Sequence, residues 1–170
     1  TSNTYAAIEQ EIREQLDRLP YINASFISQS HLDGVLEALQ DRTEKVLFLT
    51  SIGALQDSYG ETLTIPEIIS AIEASGQYVV FSMEDAYIVG DVLGGYVTSG
   101  KSQGKAAAGL VLEYQQGRPL NEILNITESP NVYMFNQSRL QTLGISLTDS
   151  IRKVATFVNV PKSFYQRNKS

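Results

Sequence analysis

The residues best suited to chemistry in this chain lie where apolar runs give way to polar ones. Thr50 and Ser51 follow Val46-Leu47-Phe48-Leu49, and Ser82-Met83-Glu84-Asp85 follows Tyr78-Val79-Val80-Phe81, with Asp57-Ser58-Tyr59 between the two. In an open parallel sheet, ligands gather at the carboxyl ends of the strands, where helix N-termini supply positive dipole ends and loops supply side chains. Glu84 and Asp85 suit a ligand ammonium, an ion pair with a lysine, or plain solvation. They do not suit a pair of carboxylates flanking one substrate bond, because neighbouring residues of a strand point to opposite faces. Asp57-Ser58-Tyr59-Gly60 reads as a turn, with the aspartate bonding locally, while the Tyr59 ring could stack on a ligand. Tyr87 lies in the same group of loops.

A second pattern points to different chemistry. Gly95-Tyr96-Val97-Thr98-Ser99-Gly100-Lys101-Ser102 matches Gly-x4-Gly-Lys-Ser, the spacing of a loop that cradles nucleotide phosphates. Such a loop needs a buried apolar strand before it and a carboxylate from a later strand to hold magnesium. Here Asp91-Val92-Leu93-Gly94 precedes it, Tyr96 and Val97 put bulk where backbone must wrap phosphate, and Tyr133-Met134-Phe135 leads to Asn136 rather than to an aspartate. A P-loop nucleotide enzyme is therefore the lesser alternative.

Composition removes other classes. The 170 residues carry 13 Lys and Arg against 19 Asp and Glu, a formal net charge of -6 that repels a phosphate backbone and argues against a nucleic-acid partner. There is no cysteine and a single histidine, His31, so disulfides, thiolate catalysis and His-rich metal sites are excluded and no metal or cofactor is expected. No run approaches the roughly 18 apolar residues of a membrane span, and Thr1-Ser2-Asn3 begins no export signal. Any signal or anchor is expected outside these residues.

The elements that must position the polar residues alternate. Tyr5, Ile8, Ile12, Leu16 and Leu19 recur at helical spacing over Thr4 to Leu19, and Tyr21 to Ile27 reads as a short strand. A helix from His31 to Arg42 follows Ser30. Lys45 to Thr50 reads as a strand covered on both faces, Thr64-Ile65-Pro66-Glu67 opens a helix running to about Ala74, and Tyr78 to Ser82 is a third strand. This alternation predicts an α/β fold, an open parallel sheet with helices on both faces. Ile88 to Val97 is glycine-rich and apolar, like a crossing segment lying against other backbone. A long helix from Lys101 to Gln116 then presents Gly104, Ala106, Ala107, Ala108 and Gly109 as a smooth face for another element to approach. Asn131 to Asn136 is the last strand, followed by a helix from Ser138 to Leu143 capped at Gly144.

The stretch Gly94 to Ala108 followed by Gln116-Gly117-Arg118-Pro119, with Asn131 to Ile145 after it, resembles the carboxyl half of the ABC-importer substrate-binding family that includes tryptophan and tyrosine binders. Asn159-Val160-Pro161-Lys162-Ser163-Phe164-Tyr165-Gln166-Arg167 looks like the juxtamembrane end found where this module is the sensor of a histidine kinase or diguanylate cyclase. The resemblance covers most of residues 1 to 150, and the family's amino-terminal lobe is missing from it.

The resemblance implies a flavodoxin-like lobe of a periplasmic binding protein over 1–150, divided into a main lobe (1–88), a crossing segment and helix (89–117) and closing elements (118–150), with a juxtamembrane tail over 151–170. It places Ser2, Asn3 and Thr4 at a helix N-terminus lining the cleft, and matches Thr50, Ser51, Met83, Glu84 and Asp85 to strand ends facing it. The function implied is binding, not enzymatic. An amino acid or aromatic carboxylate is bound outside the inner membrane, and closure or rearrangement of a homodimer passes to a membrane helix and a cytoplasmic signalling domain beyond these residues. A soluble importer subunit is the alternative within the same class.

Overall fold

The computed structural model describes residues 3–40, 42–123 and 130–161. The chain forms two compact units. The first runs through Lys45 and resumes over Ser51–Gln77; the second consists of Val46–Thr50 and the residues from Tyr78 onward.

In the first unit, α1 (Asn3–Leu16) closes three residues short of the expected end. Its Arg13 pairs with Glu9 at 2.6 Å and lies 3.9 Å over the Phe26 ring. This cation–π contact accounts for a correction: Tyr21 to Ile27 joins no ladder, since Phe26 is engaged by Arg13 and Tyr21 is exposed. The chain is instead held at its next step, where Leu32 N–H donates to Gln56 and Gln56 N–H to Ser30, leading into α2 (Leu32–Gln40). The helix expected from Thr64 forms as α3 (Ile65–Ser75), which packs with α2 and buries Ile68, Ile69 and Ile72. Its start is fixed by Glu67, whose carboxylate accepts from the Thr64 amide at 2.8 Å and from the Thr64 hydroxyl at 2.6 Å.

The second unit holds the sheet: β1 (Val46–Leu49), β2 (Val79–Ser82), β3 (Gly94–Val97), β4 (Val132–Asn136) and β5 (Thr156–Val158), hydrogen-bonded in that order. β1, β2 and β3 run parallel, β4 is antiparallel to β3, and β5 is parallel to β4. The fold is α/β with an open, mostly parallel sheet, the class the alternation predicts. The one reversal has a consequence for function. The carboxyl ends of β1, β2 and β3 share one edge of the sheet, and those of β4 and β5 lie at the other.

Register puts Phe48, Phe81, Gly94, Phe135 and Phe157 in one row across the sheet. Phe48 stacks on Phe81 at 5.0 Å. Gly94 interrupts the row at a φ of 103°, and a Cβ there would overlap the Met134 carbonyl. Within the segment expected to cross, Gly94–Val97 is thus a central strand that does press on neighbouring backbone. α6 (Gln137–Leu143) and α7 (Asp149–Val154) close over this face, with Leu140, Leu143 and Ile151 against Phe81, Phe135 and Phe157. Cover stops short of β1, where Phe48 is 61% exposed, so the expectation that this strand is covered on both faces does not hold among the described residues.

α4 (Gly100–Gln115) follows β3 and is succeeded by α5 (Leu120–Ile123). Among the described residues nothing packs on the glycines of its small-residue face, since a Cβ on Gly104 or Gly109 would meet no atom within 4 Å. The segment from 151, expected as a tail, instead completes α7 and supplies β5, so the lobe continues past residue 150; 162–170 lie outside the described residues. No helix among the described residues is long and apolar enough to cross a membrane.

Candidate functional site

At the edge where β1, β2 and β3 end, the backbone ladder continues past the strands. Met83 N–H donates to Leu49, Thr98 N–H to Met83 and Asp85 N–H to Thr98, at 3.1, 2.8 and 3.0 Å. Ser82 is 2% exposed, and its hydroxyl donates to the Glu84 carbonyl at 2.6 Å while accepting from the Glu84 amide at 3.0 Å. These bonds make the polypeptide around Glu84 an extension of the sheet rather than a free loop, as a site held on rigid elements requires.

Burial pushes the Glu84 carboxyl above its usual range; the hydrogen bond from the Tyr87 hydroxyl works against that shift and the negative charge of Asp85 adds to it. Tyr87 is itself buried within a 3-10 turn, Asp85–Tyr87. The Ser99 side chain, also buried, caps α4 by accepting from the Ser102 amide at 3.5 Å, so the positive end of a four-turn helix opens on this edge. A cavity of 430 Å³ lies beside it, lined by Ser102, Lys105, Ala106, Pro130, Asn131 and Val132. Because Val132 pairs with Val97, this cavity opens at the carboxyl end of β3. Glu84 does not line this cavity; the edge thus carries a partly desolvated carboxyl and, separately, a lysine beside a helix N-terminus.

Of the residues expected to bind, Thr50, Met83, Glu84 and Asp85 belong to the second unit, and the ladder from Leu49 to Met83 brings them to this edge. Ser51, Asp57 and Tyr59 belong to the first unit. Asp57 has a turn role there, its Oδ1 accepting from the Tyr59 and Glu61 amides at 2.9 Å each, with Gly60 at a φ of 84°. Tyr59 stands at the tip of that turn, 90% exposed. Ser2 lies outside the described residues, and Asn3 and Thr4 open α1 with side chains outside that description.

Thr98 and Ser99 were not expected here. They are the polar exit of β3, as Thr50 and Ser51 are of β1, but the glycines of Gly94-Gly95 hide that strand from a propensity reading. The same strand removes the phosphate-loop geometry. Gly95, Tyr96 and Val97 are paired with Met134, Tyr133 and Val132, leaving only Thr98 and Ser99 between strand and helix. His31 is bonded to Ser30 at 3.0 Å, and among the described residues no three His, Asp or Glu side chains come together as metal ligands. No protein-family model, curated protein or solved structure matches this chain.

Proposed function

We propose that this chain is a small-ligand-binding sensor domain, of the periplasmic-binding-protein type that its sequence resembles, working on the extracytoplasmic side of a membrane receptor. The observation that carries the reading is the half-buried Glu84, its backbone fixed by Ser82 and Thr98 at the joint carboxyl edge of β1, β2 and β3 and its carboxyl bonded by the Tyr87 hydroxyl. A carboxyl kept partly out of water without a cation among its partners in the described residues is poised for a ligand ammonium. The N-terminal turn of α4 and Lys105 supply the counterpart for a carboxylate, which together favour an amino acid. Binding and release need no covalent step. The signal then consists of the population shift that the ligand's differential affinity produces.

A thermal-shift panel of L-tryptophan, L-tyrosine, L-leucine and phenylacetate tests this reading. At about 100 times its Kd a true ligand adds ~2.7 kcal/mol of stability, a rise of roughly 5–10 °C for a chain of this size. An amino acid is expected to give that rise and phenylacetate, which lacks the ammonium, a smaller one. A flat response to the whole panel overturns the amino-acid reading.

A further inference from the structure

Opposite the Glu84 edge, β4 runs into α6, and the chain turns at Gly144 before α7. A cavity of 340 Å³ occupies this elbow, with Leu140 and Ile145 in its wall and the side chains of Gln137, Gln141, Ser146 and Arg152 around them. None of these four polar groups has a partner among the described residues, and no carboxylate lines the cavity. Gln137 is half-buried while Gln141, Ser146 and Arg152 are exposed at the cavity's mouth, so four side chains that can all donate, one of them a guanidinium, face an incoming ligand.

The elbow is also rigid. Asn136 caps α6 by accepting from the Arg139 amide at 3.2 Å, and Leu140 is 4% exposed in the core. Arg139 ties the helix to Asp91 at 3.0 Å and to the Tyr78 carbonyl at 3.3 Å. Ile145 N–H returns to Leu140 at 3.0 Å, and the Arg152 amide is bonded to Thr148 at 2.9 Å. We propose that the α6–α7 elbow is a binding site for the carboxylate of a small organic acid, held by the Arg152 guanidinium and the Gln137 and Gln141 amides with its hydrocarbon against Leu140 and Ile145. A single guanidinium balances one negative charge and meets a planar carboxylate with two parallel donors; a phosphate dianion would find only one cation.

This site is separate from the Glu84 edge and does not depend on the reading given to it. The test is an amide-resolved NMR titration of the full chain with butyrate at constant ionic strength, with inorganic phosphate and 1-butanol as comparison probes. Saturable shifts are expected at Gln137, Gln141, Ser146 and Arg152 with butyrate and not with butanol. R152Q is expected to weaken butyrate about tenfold or more, the loss of one charge-assisted contact, whereas K153Q, at a neighbouring cation that does not line the cavity, leaves it unchanged. Shifts that fail to saturate, undiminished binding in R152Q, or a preference for phosphate over butyrate would each overturn the proposal.

Discussion

Two glutamates, each fixed by a neighbouring hydroxyl, have opposite consequences for stability. Glu67 is held below its usual range by the hydrogen bond from the Thr64 side chain and then by the Thr64 amide. A carboxyl depressed on folding contributes stability that is complete above its unfolded value and is lost as pH falls through the folded one. T64A and E67Q are therefore expected to lower Tm near neutrality and to flatten its fall below about pH 4.5. An unchanged acid limb in E67Q would contradict the cap. Glu84 is raised, chiefly by burial, so the folded chain holds its proton more tightly than the unfolded one and stability declines as pH rises through that window. E84Q is expected to raise the Tm of the unliganded protein modestly at pH 7 and to leave it unaltered well below pH 4; urea midpoints at the two pH values check both. Glu84 was legible in the sequence because it follows an apolar run that could only be a strand. Its fixing was legible only in part: the Ser82 hydroxyl is a local partner two residues back, whereas the Thr98 backbone reaches it only once β2 and β3 are paired.

Elements with a local signature are legible in the sequence. The proline and glutamate after Thr64 announced α3, the consecutive apolar residues announced β1, β2 and β4, and Gly144 closed α6 as expected. The misread elements are those whose identity depends on tertiary partners. β3 contains two glycines because Gly94 must approach Met134 more closely than any side chain allows. Tyr21 to Ile27 has strand composition but gives up Phe26 to Arg13. β5 is three residues long and is selected by its pairing with Met134, Phe135 and Asn136 rather than by pattern. G94A is accordingly expected to destabilise the chain by at least about 2–3 kcal/mol, since a Cβ there meets both a positive φ and backbone that cannot yield. A loss below ~1 kcal/mol in urea unfolding would show that β3 and β4 are less closely opposed than described.

At the scale of the molecule, the reversal at β4 separates two polar edges. One gathers Thr50, Ser82, Glu84, Asp85 and Ser99 beside the start of α4; the other carries Arg139, Asp91 and the α6–α7 elbow. The α/β class was legible from alternation alone, whereas the reversal was not, because the direction of β4 depends on how the long segment through α4 returns to the sheet. At the first edge, we propose, Glu84 receives the ammonium of a small ligand. Isothermal titration of the intact chain and of E84Q with the amino acid that gives the largest thermal shift tests it most directly. The account predicts saturable binding at pH 7 that weakens at least tenfold in E84Q while that variant remains folded. Equal affinity in the two proteins would contradict it.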